Sequence, residues 1–281
     1  MGEPCDLMIA LHARRSAQSV ADWRATRGDA PLVVVLTGTD LYRDIESSAE
    51  ARASLAAADR LVVLNELGAR MLPEGLRRRT GVILQSSPGR AAVSRTPRHL
   101  RALMVGHLRE EKSPRTYFEA VRALARRDDI LFDHIGAPLD DVLGREALAL
   151  MQECPRYRWL GNRPHGETLR RIQHAHVLVH ASRMEGGAHV VLEAVRCHSP
   201  VLASRIDGNV GLLGSRYAGY FATGDAAGLA ALIGRCRDTQ GRDNGLLTRL
   251  THQCAARRDR FAPQAEAMAL NALVARLLRR R

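Results

Sequence analysis

The sequence of 281 residues has no long hydrophobic run, since no stretch approaches the ~18–20 uninterrupted apolar residues that a membrane-spanning helix needs. Its first six residues lack the basic-then-apolar order of a secretory signal. Its five cysteines are odd in number, far apart and without a CxxC pair, which argues against a disulfide framework or a zinc cage. These absences predict a cytoplasmic protein with reduced thiols and no transmembrane segment.

Lysine and aromatic residues are also scarce. One lysine, Lys112, accompanies 41 arginines, and the formal net charge is +12. The four Phe, five Tyr and two Trp are too few to interleave with the arginines as in a single-strand-binding surface. The charge therefore predicts solvated faces and general anion attraction, not nucleic-acid binding. A position that retains Lys among so many arginines indicates a need for a compact ammonium group.

The sequence does contain a regular alternation of short apolar runs and helical patterns. This is a βαβ pattern, in which buried parallel strands read as continuous apolar runs. The predicted strands are 6–11, 32–36, 61–64, 81–84, 102–105, 130–135, 157–160, 177–180, 201–204 and 217–221. The predicted helices are 16–27, 47–58, 66–72, 114–126, 140–153, 166–174, 188–197, 226–237, 244–258 and 263–278. Ser16 and Ser47 are placed as N-caps.

A stretch rich in Pro, Ser and Arg at 85–98 has no periodicity and is typical of an interdomain linker. We therefore expect an α/β protein with two domains and parallel sheets, divided into segments 1–97, 98–262 and 263–281. The first segment has only four strand signals and no Gly-rich phosphate turn. This predicts either a small N-terminal domain or one that is truncated.

The most informative stretch is SRMEGGAHVVLEAVRCHSPVLAS at 182–204. A predicted strand ends in a short loop with Glu185, Gly186 and Gly187, and a helix begins at once. Two glycines would let the backbone approach a ligand closely, and the free N–H groups of a helix start form an anion site. Glu193 lies on the same helix, where it can face the same cleft and accept hydrogen bonds from a ribose. The alternative is a helix with surface glutamates and glycines used only for packing.

A second cluster is MVGHLREEKS at 104–113, after the first strand that follows the linker. Gly106 permits a tight turn, and Lys112 is predicted to open the following helix. An ammonium group at that point could hold the β-phosphate of a nucleotide. His107 could add a donor, or could be an ordinary surface residue.

GHLREEKS, EGGAHVVLEA and PVLAS together resemble the C-terminal domain of GT-B glycosyltransferases of family four, which bind a nucleotide diphospho-sugar between two Rossmann-like domains. The resemblance implies that Lys112 contacts the donor diphosphate, that Glu185 approaches the sugar and that Glu193 holds the ribose. The other donor-binding residues that it implies are Gly106, His107, Gly186, Gly187, Ala188 and His189. His107 stands where the family usually has Arg, which indicates a modified phosphate site. The resemblance implies no metal or other cofactor, and a last helix that packs back on the N-terminal domain; a membrane-surface anchor is the alternative.

The N-terminal segment also fits this resemblance. DLMIALHARRS resembles a strand that ends in a functional histidine, which places His12 in the cleft with Lys112 and Glu185 as catalytic residues. More narrowly, TGTDLYRD, HARRS, QSSPG and DGNVGLLG resemble the selenosugar synthases of selenoneine biosynthesis, which join a UDP-sugar to selenophosphate. The acceptor-binding residues expected on that basis are Arg14, Arg15, Gly38, Thr39, Asp40 and Arg43. A small, highly charged acceptor suits several guanidinium groups; pairing of these arginines with Asp40, Asp44 or solvent is the alternative.

The expected function is transfer of a sugar from a UDP-sugar, such as UDP-glucose or UDP-N-acetylglucosamine, to selenophosphate with formation of a C–Se bond. The alternatives are transfer to a hydroxyl acceptor and a catalytically silent nucleotide-sugar or nucleic-acid binder. A homo-oligomer is compatible with the sequence. His174, His176 and His180 share a parity, but no nearby carboxylate or thiol completes a zinc site. Residues 209–211 are expected in a Gly-rich loop that shapes the donor pocket, and a plain turn is the alternative.

Overall fold

The structure, a computed structural model, describes residues 5–279. The predictions made for residues 1–4 and for the arginines at 280 and 281 lie outside this range. Within it, no helix is long and apolar enough to cross a membrane. The described residues form two separate sheets, and every strand pair in both sheets is parallel.

The first sheet has four strands in sequence order, and its central strand LVVVL is buried along its whole length, as a parallel strand covered on both faces must be. The strands are β1 (Met8–Leu11), β2 (Leu32–Leu36), β3 (Arg60–Val63) and β4 (Thr80–Val82). The helices of this part are α1 (Ala17–Arg27), α2 (Ile45–Ser47), α3 (Ala49–Ala57) and α4 (Glu74–Arg77). A π-helical turn covers Asp40–Asp44, and a 3₁₀ turn covers Gly68–Met71.

The second sheet has six strands in the order β10-β9-β8-β5-β6-β7. Its strands are β5 (Leu100–Val105), β6 (Ile130–Ile135), β7 (Tyr157–Trp159), β8 (Val177–His180), β9 (Val201–Ser204) and β10 (Tyr220–Phe221). β5 lies between β6 and β8, so the chain winds outward in one direction from β5 and in the other from β8. Ligands of open α/β sheets bind outside the carboxyl ends of the strands at such a reversal.

Helices lie between the strands of the second sheet, and further helices follow its last strand. Those between the strands are α5 (Pro114–Ala123), α6 (Asp141–Glu153), α7 (His165–His174), α8 (His189–Arg196) and α9 (Asp207–Leu213), and those after β10 are α10 (Ala226–Asp238), α11 (Leu246–Ala255) and α12 (Pro263–Leu278). Two 3₁₀ turns, Glu110–Lys112 and Arg258–Phe261, precede α5 and α12. Asp140 is the N-cap of α6, where its side chain accepts hydrogen bonds from the N–H groups of Val142 and Leu143.

The last helix, α12, packs against the first sheet although it follows the second in the chain. Leu273 and Leu277 of α12 contact the face of the first sheet that carries Val33 and Val35, while α1 and α3 cover the opposite face. Such burial contributes about 25 cal/mol per Å² of apolar surface, so α12 couples the two halves of the chain. The division at residues 97/98 and 262/263 stays a prediction.

Four local predictions were wrong, one of them the helix at 66–72, where the structure has only the 3₁₀ turn Gly68–Met71. Residues 209–211 lie in helix α9, not in a loop, because Asn209 is fully buried and its side chain donates a hydrogen bond to the carbonyl of Ser204 at 2.9 Å. The N-cap of α3 is Ser48, not Ser47; its side chain accepts a hydrogen bond from the N–H of Ala51 at 3.1 Å. Lys112 ends a 3₁₀ turn and does not open α5, which begins with Pro114.

Gly136 directly follows β6 and gives a test of how tightly the end of β6 packs against the loop after β5. A Cβ atom at this position would lie 1.9 Å from the carbonyl oxygen of Gly106, so Gly136→Ala must displace backbone. We expect a loss of about 1–3 kcal/mol in the free energy of unfolding, the usual cost of overpacking. The matched control is Gly166→Ala in α7, where a Cβ meets nothing within 4 Å. Thermal unfolding of both variants checks the prediction, and equal midpoints would contradict it.

Candidate functional site

Two loops meet at the carboxyl ends of β5 and β8. The loop after β5 leads to Lys112, and the loop after β8 carries Glu185 and ends where α8 begins. Because these strands are neighbours, the two loops enclose one cavity of about 380 Å³. The predicted donor-binding residues that line it are Gly106, His107, Lys112, Glu185, Gly187, Ala188 and His189. The structure therefore brings the lysine and the glycine-rich helix start to the same cavity.

Glu185 forms the charged centre of this cavity. Its Oε1 accepts a hydrogen bond from Lys112 Nζ at 2.5 Å, and His180 Nε2 lies 3.4 Å from the same oxygen. Burial opposes ionisation of this carboxyl, but its contacts with His180 and Lys112 outweigh burial and hold its pKa well below the usual range. Glu185 is therefore a carboxylate at neutral pH, and the ammonium group of Lys112 is held beside it.

Glu193 is the second carboxylate of the site, and two imidazoles contact it. His165 Nε2 lies 2.6 Å and His189 Nδ1 lies 3.2 Å from the same oxygen, Oε1. Burial raises the pKa of Glu193, but the hydrogen bonds from His189 and His165 outweigh burial and lower it overall. His189 Nε2 also lies 3.1 Å from the carbonyl oxygen of Ser86. Glu193 is thus ionised, and both histidines hold its carboxylate through Oε1.

The two glycines after Glu185 contact the first half of the chain. A Cβ on Gly186 would lie 2.4 Å from the carbonyl oxygen of Thr37, and one on Gly187 would lie 2.8 Å from Leu64 Cβ. The fully buried Asn65 donates a hydrogen bond to the carbonyl of Gly186 at 2.7 Å. Close approach to a ligand was the expected reason for these glycines. The structure gives a different reason for these glycines: the loop packs closely against Thr37 and Leu64, which directly follow strands β2 and β3 of the first sheet.

The loop after β5 also differs from expectation. A Cβ on Gly106 would make only ordinary contacts of 3.5–3.7 Å with Lys112, and the steric demand for glycine falls on Gly136 instead. His107 is exposed at the cavity, and its Nδ1 accepts a hydrogen bond from the N–H of Ala137 at 3.0 Å. With Nδ1 accepting, the neutral ring carries its proton on Nε2 and can donate it to a ligand.

His12 follows β1 in the left-handed conformation, with φ 72°. Its buried ring accepts a hydrogen bond at Nδ1 from the N–H of Arg15 at 3.3 Å, and its Nε2 lies 3.0 Å from Thr39 Oγ1. Asp40 and Asp44 each place a carboxylate oxygen 3.9 Å from a ring nitrogen. His12 is thus held between two buried acids in a backbone conformation that costs about 1–3 kcal/mol.

Asp40 holds the loop after β2 in place. Its fully buried carboxylate accepts hydrogen bonds from the N–H groups of Thr37, Gly38 and Ala13 at 2.8–3.0 Å. Asp40 was expected to contact an acceptor, but its side chain has no exposed surface. Gly38, at φ 151°, lies against Gly186, because a Cβ there would be 3.2 Å from the N atom of Gly186.

The three arginines expected at the acceptor side have different surroundings. Arg14 Nε lies 3.1 Å and Arg43 Nε lies 3.3 Å from the two carboxylate oxygens of Asp44. Arg15 is exposed and, with Arg14, lines a groove between α1 and α3. Arg14 and Arg43 thus converge on Asp44, and two guanidinium groups on one carboxylate leave a net positive charge.

Residues 5–279 contain no group of three or more His, Cys, Asp or Glu side chains arranged to hold a metal ion. Of the three histidines with shared parity, His176 forms hydrogen bonds with the backbone of Arg101 and Thr96 and packs against the ring of His99, whereas His180 contacts Glu185. Sequence reasoning missed His165, His180 and Asn65 as parts of the site. The contacts of His165 and Asn65 span 28 and 121 residues. His180 contacts Glu185, which is near in the chain, but no local signal marks this pairing.

Comparisons with known proteins identify the family and the fold. The family model described as glycosyl transferases group 1 matches residues 92–238, more than half of the chain. HepE of Anabaena, solved with UDP and glucose, is similar at 16% identity and a TM-score of 0.76, covering 96% of this chain and 78% of that one. Sucrose-phosphate synthase of Thermosynechococcus elongatus is similar at 19% identity and a TM-score of 0.78, covering 98% and 74%.

The pneumococcal O-GlcNAc transferase GtfA, solved with UDP and GlcNAc, is similar at 15% identity and a TM-score of 0.75. This chain is covered over 96% of its length and GtfA over 57%. At such identities these likenesses show the fold, and they confirm the GT-B fold that the sequence predicts.

Glu185 leads to a prediction about acid stability. Because its pKa is lowered in the folded protein, its stabilising contribution is present above the ordinary value of 4.5 and is lost as the pH falls below it. Glu185→Gln should reduce the free energy of unfolding at pH 7 by about 1–3 kcal/mol. The difference in the free energy of unfolding between wild type and Glu185→Gln should become smaller below pH 4.5. Urea unfolding across pH measures both effects, with the exposed Glu119→Gln as control; a gap that is constant with pH would contradict the assignment.

Proposed function

Since the chain belongs to the glycosyl transferases group 1 family and is therefore a transferase, we propose that it transfers a sugar from a UDP-sugar donor bound at the β5/β8 cavity. The observation that carries this proposal is that Lys112, Glu185 and the start of α8 line one cavity. The bound UDP in HepE and GtfA supports UDP as the nucleotide. UDP-glucose and UDP-N-acetylglucosamine are the donors of choice for testing.

The donor diphosphate would lie between Lys112 and the first N–H groups of α8. These N–H groups have no partner within the helix, and the helix dipole adds positive potential at that end. Lys112 has three ammonium N–H donors on a flexible side chain, so it can contact phosphate oxygens while it keeps its hydrogen bond to Glu185. Glu193 would receive the ribose on Oε2, because both histidines contact Oε1.

Catalysis would consist mainly of stabilising the departing diphosphate. As the bond between the anomeric carbon and the phosphate oxygen breaks, negative charge grows on the diphosphate, and Lys112 and the α8 amides are already positioned for it. Glu185, held by His180 and Lys112, would face the sugar and fix its orientation. No covalent protein nucleophile is needed for this step.

For the acceptor we propose selenophosphate, whose selenium would bond to the anomeric carbon while UDP leaves, as in the formation of a selenosugar for selenoneine. The support is the short phrases shared with selenosugar synthases, together with the net positive charge of Arg14 and Arg43 around Asp44. An acceptor that is already anionic needs cations more than it needs a strong base.

A hydroxyl acceptor is the second candidate, and a specific observation favours it. His12 lies between Asp40 and Asp44, with each carboxylate 3.9 Å from a ring nitrogen. Acids in such positions stabilise an imidazolium ring, as required when a histidine takes a proton from a hydroxyl. For this reaction His12 would adopt the tautomer with its proton on Nδ1, facing Asp40 in place of the N–H of Arg15, so that Nε2 is free to accept. The two candidates therefore differ in whether His12 must accept a proton.

Substitution of Lys112 tests the donor site. Lys112→Met and Lys112→Glu should weaken UDP binding by about tenfold or more, because a hydrogen bond to a charged group contributes about 1.5–3 kcal/mol. Isothermal titration calorimetry measures the affinity, and circular dichroism confirms that the variants fold. Arg126→Met, at an exposed position in the turn after α5, removes the same charge outside the cavity and should leave binding unchanged. Unaltered UDP affinity in folded Lys112→Glu would refute the proposed site.

The acceptor is tested by parallel reactions with one UDP-sugar and either selenophosphate or a hydroxyl acceptor. We expect UDP release and a selenium-containing sugar product in the first reaction, identified by mass spectrometry from the selenium isotope pattern. Arg43→Met should raise KM for selenophosphate more than it lowers kcat, because it removes a binding charge. A product formed only with hydroxyl acceptors, and abolished by His12→Asn, would favour the second candidate.

A further inference from the structure

His189 lies between two hydrogen-bond acceptors. On one side its Nε2 is 3.1 Å from the carbonyl oxygen of Ser86, and on the other its Nδ1 is 3.2 Å from Oε1 of Glu193. A carbonyl oxygen can only accept, and an ionised carboxylate can only accept. Both ring nitrogens of His189 must therefore carry hydrogen if both contacts are to be favourable.

A neutral imidazole has one N–H group, so it can satisfy only one of these two acceptors. We infer that His189 is an imidazolium cation in this fold, and that with His165 it is a positioning residue that holds Glu193 toward the ribose of the donor. The ribose part of this inference rests on the proposed function. Neither histidine is needed for chemistry at the anomeric carbon, so their effect falls on donor binding.

The charges around His189 favour this protonated state on balance. Glu193 on its own helix and Glu266 on α12 are acidic, and Glu266 also accepts a hydrogen bond from the N–H of Ser86 at 2.9 Å. The hydrogen bond with Glu193 raises the pKa of His189 above its ordinary value of 6.5, although burial opposes the shift. The opposing groups are the His165 ring at Glu193 and the cations that line the cavity, Lys112, Arg109 and Arg163.

Because protonated His189 donates to both Glu193 and Ser86, it links the donor site to the segment between the two sheets. Ser86 lies in that segment, after β4 and before β5, and it bonds both α8 through His189 and α12 through Glu266. Loss of the proton turns one of the two contacts into a repulsion between lone pairs. Glu193 or the segment at Ser86 then loses a partner, so donor affinity should fall as the pH rises through the raised pKa of His189.

Nuclear magnetic resonance of the chain without ligand tests the protonation itself. The ¹³Cε1 signal of His189, assigned by its loss in His189→Gln, should titrate at a pH above the ordinary histidine value of 6.5. A titration at or below that value would overturn the inference. This measurement does not depend on whether the chain binds a UDP-sugar.

Calorimetry with UDP-glucose, from about pH 6 to about pH 8.5, tests the consequence for binding. UDP-glucose lacks the terminal phosphate of UDP, and the second ionisation of that phosphate at about pH 6 would overlap with the titration of His189. Wild-type affinity should fall by about tenfold over the range, since a charge-assisted hydrogen bond is lost. His189→Gln should bind at the weak level throughout, and His252→Gln, an exposed histidine of α11, should keep the wild-type profile.

The outcomes distinguish the role of His189 from the proposed function of the chain. Binding that is tight but independent of pH in the wild type would overturn the positioning role of His189 and leave the proposed function standing. Absence of UDP-glucose binding at every pH would overturn the proposed function, while the resonance titration would still decide the charge of His189. A parallel loss of affinity in His252→Gln would show that the pH effect is not specific to the site, and would also overturn the role.

Discussion

The close contact between Gly186 and the loop after β2 is the constraint on which the site depends. With a Cβ at 186 only 2.4 Å from the carbonyl oxygen of Thr37, this position accepts no side chain. Asn65 bonds the carbonyl of the same glycine, and the backbone of Glu185 lies 2.1 Å from where a Cβ of Gly208 would be. The loop is therefore held from both halves of the chain. Its two neighbours, Glu185 and the start of α8, are placed at the cavity as a result.

The hydrophobic pattern was sufficient to predict most of the fold. The strands at 32–36, 130–135, 177–180 and 201–204 have the predicted bounds, because each is a continuous apolar run buried on both faces. The helix at 207–213 was missed because glycine and asparagine have low helix propensity, and burial of Asn209 outweighs that preference. The order of the six-stranded sheet depends on contacts between distant segments, so the strand pattern alone does not give it.

The site was predictable to a different degree for each residue. Lys112 and Glu185 could be placed together because each follows a strand and their motif resembles a known family. His165 and His180 could not, because a histidine carries no local signal of which carboxylate it will meet 28 or 5 residues away. The arginines show the same limit. The sequence left pairing with Asp40, Asp44 or solvent open as the alternative to acceptor binding, but it could not single out Asp44 as the partner of both Arg14 and Arg43.

The two carboxylates of the site are held by different sets of donors, and this has a consequence for recognition. Glu185 contacts Lys112 and His180 through one oxygen, and Glu193 contacts His165 and His189 through one oxygen. Among these histidines, His189 is the one whose second ring nitrogen faces a carbonyl oxygen, that of Ser86. The proton inferred for His189 therefore acts on the carboxylate assigned to the ribose and not on the carboxylate beside Lys112. A change in pH would then alter how firmly Glu193 is held, while the contact between Glu185 and Lys112 does not depend on this proton.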